Sequence, residues 1–226
     1  MGLLSRVNSR MKDEGFAKTV EYGVRVGVDT LSTWFGDAYL DLKYSGRLLH
    51  GNSPSRFSAC GANDVYHTDY GVMPLIFANA PVGKDDVLVD VGCGKGRVIN
   101  FWLSRNIRNP IIGLEIDPGI AARTARQFAR WPNVRIIPGD AVELLPPEGT
   151  LLYFYNPFNE RKVIEFERKV RAAGNDVQVV YYNPKSLSAF DNGHWAVRVV
   201  DFARDMGVKR WGRLNKYHNL AVITRK

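Results

Sequence analysis

The chain has 226 residues, 45% of them hydrophobic, enough for one substantial α/β core with a small appended cap. Two cysteines, Cys60 and Cys93, exclude a disulfide framework, and four scattered histidines without CxxC or HExxH spacing give no metal signature, so no metal is expected. The net charge of +8 is uneven: residues 1–160 balance, whereas 161–226 carry fourteen basic and six acidic side chains, densest in RDMGVKRWGRLNK (204–216). A field of that sign suits an anionic partner such as a phosphate, an acidic sugar or a nucleic acid, or it is a solvated face that keeps the protein in solution.

Asp13 and Glu14 and the lack of a secretory-length apolar run argue against a signal peptide, and no stretch reaches the roughly 20 apolar residues of a membrane span. A reducing cytoplasmic location is expected. In 16–36, Phe16, Val20, Val24, Val28, Leu31 and Phe35 recur every three or four residues, predicting an amphipathic helix whose stripe rests on the domain's own core. Residues 45–64, rich in Gly, Ser, Asn and Pro, read as loop. Together they suggest an N-terminal helical cap and loop over 1–64 and a catalytic domain over 65–226.

From residue 86 short apolar runs alternate with helical patterns. Strands are predicted at 86–91, 110–116, 134–137, 151–155 and 177–182, and helices near 96–105, 118–131 and 158–173. That order predicts a doubly wound, mostly parallel, Rossmann-like sheet covered on both faces. WAVRVVDF (195–202) and NLAVITR (219–225) follow without a clear helix between them and predict an antiparallel C-terminal edge.

The first of these strands runs into DVGCGKG (90–96). Gly92, Gly94 and Gly96 let the backbone turn sharply and approach a ligand closely, and the free amides of the next helix attract an anionic group. A dinucleotide fingerprint, G-x-G-x-x-G, needs its third glycine at 97, which is Arg97. Glu115 ends the next strand, where a carboxylate can accept two ribose hydroxyls; a nicotinamide enzyme would also satisfy that spacing, so an oxidoreductase stays as an alternative. PGDA (138–141) puts Asp140 at the same sheet edge, and YNPF (155–158) follows the fourth strand.

With VDVGCGKG (89–96), GLEID (113–117), GDA (139–141) and NPF (156–158) in order, the chain resembles the class I S-adenosylmethionine-dependent methyltransferases over roughly residues 66–185. The resemblance implies the cofactor S-adenosyl-L-methionine and a set of roles. Asp90 would organise the glycine loop and meet the cofactor's amino group, with Gly92, Cys93 and Gly94 against its methionine part. Glu115 would bind the ribose, Ile116 would press on the adenine, and Asp140 with Ala141 would meet the adenine amino group. Asn156 would stand closest to the reacting methyl. Amino-group methyltransferases of this class often carry Asn/Asp-Pro-Pro-Tyr/Phe here; this chain is one proline short, so an N-methyl acceptor is one option among others. VYHTDYG (65–71) supplies a further wall, with Tyr66, His67, Thr68 and Tyr70 as contacts and His67 as the histidine placed to act as a base. A second YNP, Tyr182-Asn183-Pro184, ends the fifth strand. The favoured acceptor is a small molecule or a protein group, including an anionic one. The alternative is a nucleic acid held by the basic C-terminal segment, although no RNA-recognition motif is present.

Overall fold

The computed structural model describes residues 16–52, 54–174, 176–205 and 219–226. It divides into two compact units, Met1–Tyr39 and Leu40–Lys226. The expected boundary at 64/65 falls inside the second. From position 206 onward the basic stretch 204–216 lies outside the described residues.

Helix α1 (Phe16–Ser45) contains the predicted amphipathic segment. Its stripe departs from expectation, because Val20, Val24, Val28, Leu31 and Phe35 are all exposed. Leu40 and Tyr44, on the helix's last turns, pack against the core of the second unit. There the Asp41 carboxylate accepts from the Leu49 N–H at 2.8 Å and from the Tyr70 hydroxyl at 2.7 Å.

The second unit holds a seven-stranded sheet: β1 (Leu88–Val91), β2 (Ile111–Glu115), β3 (Val134–Pro138), β4 (Leu151–Phe154), β5 (Gln178–Tyr182), β6 (Trp195–Asp201) and β7 (Asn219–Arg225). Its order is β3-β2-β1-β4-β5-β7-β6. β1 to β5 pair in parallel, while β7 lies antiparallel to both β5 and β6. The expected antiparallel edge is therefore present. Its last strand doubles back through the sheet's outer gap instead of extending it in sequence order.

The central strands are short and buried on both faces, as a parallel sheet under two helical layers requires. Side chains alternate between the layers. Leu88 and Tyr153 join Met73, Ile76 and Trp102 on one side, where α2 (Met73–Asn79) and α3 (Arg97–Ser104) pack; Val89, Val91, Phe154 and Tyr181 join Phe166 of α5 (Glu160–Ala173) on the other. α4 (Pro118–Phe128) starts on Asp117, whose Oδ1 accepts from the N–H groups of Gly119 and Ile120, with Pro118 at its first position. A short helix, α6 (Phe202–Asp205), follows β6.

β1 lies between β2, which winds one way, and β4, which winds the other. In an open α/β sheet that reversal leaves a crevice at the carboxyl ends of the two strands, where ligands bind. The register pairs Val91 with Phe154, so Gly92 and Tyr155 follow side by side at that crevice.

Candidate active site

Three glycines with positive φ carry the chain out of β1: Gly92 (76°), Gly94 (52°) and Gly96 (80°). Each is also closed against a neighbour. A Cβ on Gly92 would lie 2.4 Å from the Pro157 Cβ, one on Gly94 2.8 Å from the Val65 Cγ1, and one on Gly96 2.4 Å from the Phe128 ring. The glycines therefore serve the turn and its packing together.

Glu115, buried at the end of β2, fastens this loop. Its Oε2 accepts from the Gly94 N–H and its Oε1 from the Asp117 N–H, at 2.8 and 2.9 Å. Burial holds its pKa above the usual carboxylate value, and those two donors offset only part of the rise. Glu115 then lines an open cleft, with Ile116, Gly139, Asp140, Ala141, Phe158 and Lys162 among the other walls.

Asp140 is less open than the sequence suggests. Its Oδ1 accepts from the Val142 N–H at 2.8 Å, and the Lys162 ammonium donates to Oδ2 at 2.7 Å. Lys162, on the first turns of α5, had no signal in the sequence, because only the fold brings α5 to the end of β3. The pairing holds the Lys162 pKa above its usual value.

A second cavity behind the glycine turn is lined by Asp90, Cys93, Arg97, His67, Thr68 and Tyr153. Asp90 is buried and accepts no hydrogen bond among the described residues. Burial, with the nearby Glu115 charge second, pushes its pKa up to about 8. The Cys93 thiol is pushed up too, chiefly by burial, so it is no nucleophile at neutral pH. His67 Nε2 lies 2.6 Å from the Gly51 carbonyl. Burial lowers its pKa more than that hydrogen bond restores, and Lys95 and Arg97 lower it further. A neutral ring donating from Nε2 leaves Nδ1 as the acceptor.

A third cavity, lined by Asn63, Asp64, Asn156 and Lys185, adjoins the first two. Tyr66 and Tyr155 line all three. Asn156 has a φ of 45°, and its side chain is committed to the protein. Its Oδ1 accepts from the Tyr181 hydroxyl at 2.8 Å and the Lys185 N–H at 3.4 Å, and its Nδ2 donates to the Asn183 carbonyl at 2.8 Å. Asn63 Nδ2 donates to the Asn156 carbonyl. An acceptor amine would have to share these atoms. Phe158 stacks on Phe154 in the core and shows the cleft only its edge of exposed surface, while residues 61–63 pair with 157–159 across the loop.

The fold brings the residues expected from the sequence, Asp90, Gly92, Cys93, Gly94, Glu115, Ile116, Asp140, Ala141, Asn156, Tyr66 and His67, to one sheet edge. Lys162 and Lys185 are not among them, and Tyr155 is expected only as part of YNPF. Among the described residues, no group of three or more His, Cys, Asp or Glu side chains is arranged to hold a metal ion, and no helix is long and apolar enough to cross a membrane.

No family model matches the chain. It is 28% identical over 99 residues to the probable ribosomal RNA small subunit methyltransferase A of Methanosarcina barkeri, covering 44% of this chain and 34% of that protein. The corresponding protein of Methanopyrus kandleri is 24% identical over 156 residues, covering 69% and 50%. Trans-aconitate 2-methyltransferase of Sinorhizobium medicae is 29% identical over 108 residues, covering 46% and 40%. The chain thus spans between a third and a half of the length of the curated relatives it matches. Among solved structures, the precorrin-6y C5,15-methyltransferase of Geobacter metallireducens superposes with a TM-score of 0.52 at 16% identity, covering 71% of this chain and 89% of that one. A SAH-bound methyltransferase from Podospora anserina gives 0.51 at 14% identity, covering 71% and 80%. The chain has the Rossmann-like fold of the class I S-adenosylmethionine-dependent methyltransferases, and the relatives that it matches in part are named methyltransferases.

The cofactor of that class fits the residues present. It is a cation with an ammonium group, and Asp90 is a buried carboxylate without a hydrogen-bond donor facing the second cavity. Gly92 lines both the cleft and the second cavity, and Glu115 stands at the strand end over the cleft.

Proposed function

We propose that the protein transfers a methyl group from S-adenosylmethionine to an acceptor that enters at the mouth between Tyr66 and Tyr155. The observation that carries this reading is the meeting of three cavities at those two tyrosines, on the carboxyl edge of the sheet beside the switch point. Ile116, Glu115 and Ala141 would hold the adenosine part in the cleft, and Asp90 with the Gly92–Gly94 backbone the methionine part. When bound, the cofactor supplies a methyl group on a sulfonium, already activated toward a nucleophile. What remains for the chain is alignment, and orienting two reactants can contribute roughly 7–11 kcal/mol. Tyr66 and Tyr155 border the path of approach. Lys185, Asp64 and Asn63 offer polar groups beyond them, and His67 Nδ1 can accept a proton if the nucleophile arrives protonated.

The acceptor we favour is a small molecule with polar groups, because the mouth is lined largely by polar side chains around two phenols. A nucleic-acid acceptor is the second reading; the names of the ribosomal RNA methyltransferases among the relatives favour it. Calorimetric titration tests the cofactor assignment. S-adenosylhomocysteine should bind and NAD should not, and Glu115→Ala should weaken binding by about 1.5–3 kcal/mol as charge-assisted hydrogen bonds are lost. Transfer of a labelled methyl group into a metabolite extract or into RNA then separates the two acceptors. Tight NAD binding with no response to S-adenosylhomocysteine would overturn the proposal.

A further inference from the structure

Beside the cofactor cleft, and sharing Pro54, Arg56, Asp117 and Ile120 with it, lies an open pocket of about 430 Å³. Four cationic side chains line it: Arg47 and Arg56 from the loop after α1, Lys95 from the glycine turn, and Arg123 from α4. Asp117 is the one carboxylate among the lining residues, and it is already occupied in capping α4. None of the three arginine side chains has an ion pair or hydrogen bond with the described residues. Lys95 donates to the carbonyls of His50 and Gly51, at 3.1 and 2.8 Å, which leaves the third N–H of its ammonium free.

Such a concentration of like charge costs free energy, and among the described residues no carboxylate forms an ion pair with these four side chains. The strain registers in Lys95, whose pKa falls through partial burial and the proximity of Arg123. Guanidinium forks are matched in shape and charge to phosphate oxygens and bind them with two parallel hydrogen bonds.

We infer that this pocket, formed by Arg47, Arg56, Lys95 and Arg123, binds a phosphate group carried by the methyl acceptor. The inference rests on the methyltransferase reading only for the word acceptor; the anion site stands on its own residues. The phosphate has two sources, a phosphorylated small molecule or the backbone of an RNA strand, and the same site chemistry serves either.

The test measures binding of pyrophosphate and of a short single-stranded RNA to the full chain at several salt concentrations, with S-adenosylhomocysteine titrated in parallel. Arg47 and Arg123 line this pocket and not the cofactor cleft, so the variant is Arg47→Glu with Arg123→Glu. The expected result is that at least one phosphate probe binds the wild-type protein and that the reversal weakens it tenfold or more, with S-adenosylhomocysteine affinity unchanged. For RNA, the slope of log affinity against log salt should also shrink by roughly 0.7 for each cation removed. Pyrophosphate binding alone identifies a small phosphorylated acceptor, and RNA binding alone a phosphodiester backbone. If neither probe binds, or if binding ignores the reversal, the pocket is a solvated basic surface and the inference fails. Should the reversed variant not fold, Arg47→Gln with Arg123→Gln carries the same comparison. Loss of S-adenosylhomocysteine binding in the wild type would defeat the cofactor reading and leave the phosphate result to stand or fall separately.

Discussion

Asp90 and Glu115 are buried carboxylates one strand apart, and their surroundings differ. Glu115 has two backbone donors, whereas Asp90 has none among the described residues and keeps its proton up to a pH of about 8. The unfolded chain would release that proton near the ordinary aspartate value of about 4. Between these two values the folded state binds more protons than the unfolded one, so stability falls as pH rises from about 4 to about 8. Asp90→Asn removes the titration. Without cofactor, the variant should be more stable than the wild type by about 1–3 kcal/mol at pH 8 and show a flatter dependence on pH. Urea denaturation at pH 5 and pH 8 measures both. An unaltered pH slope in the variant would mean that another group holds the proton. The same substitution should weaken cofactor binding, since the carboxylate is then lost as a counter-charge.

At the scale of elements, the glycine turn is a joint between packed surfaces. Gly96 begins α3 in a left-handed conformation with no side-chain cap, and the Phe128 ring of α4 lies where a Cβ would project. Thr124, also on α4, donates from its hydroxyl to the Gly94 carbonyl at 2.8 Å. The turn is thus held by the helix after the next strand. Gly96→Ala meets both the φ penalty, about 1–2 kcal/mol, and a collision with a buried ring. A loss of about 2–4 kcal/mol is expected in chemical denaturation, with weaker S-adenosylhomocysteine binding as the turn shifts. Gly174→Ala is the control: its φ is also positive, but nothing lies within 4 Å of its added Cβ, so only the backbone penalty should register.

For the molecule as a whole, the cleft draws on residues from the loop at 54–66, the ends of β1 to β4 and the start of α5. A ligand spanning these pieces binds the folded chain and not the unfolded one. S-adenosylhomocysteine at a hundred times its dissociation constant should therefore stabilise the protein by about 2.7 kcal/mol. A thermal melt reads this as a shift of a few degrees for a chain of this size. No shift at saturating ligand would mean that the cleft does not take it.

The sequence by itself determined the order and type of the strands from 86 onward, because short apolar runs punctuated by glycine and capping residues are local signals. It also determined the chemistry at the sheet edge: Asp90, Glu115 and Asp140 each end or follow a strand, and parallel strands bring their ends to one side. Only the tertiary structure decided which partners those residues have. Lys162 meets Asp140 because α5 crosses over β4, and the amide of Asn156 is consumed because β5 lies beside β4; neither contact leaves a trace in local spacing. The same holds for charge. Counting along the chain put all the excess in the last 66 residues, yet Arg47, Arg56, Lys95 and Arg123 come from stretches that balance overall and still share one pocket. For the stripe of α1, periodicity fixed the helix and its apolar face, but not its burial. Burial depends on what surface is there to receive a side chain: Leu40 and Tyr44 pack against the core of the second unit, while Val20, Val24, Val28, Leu31 and Phe35 are exposed.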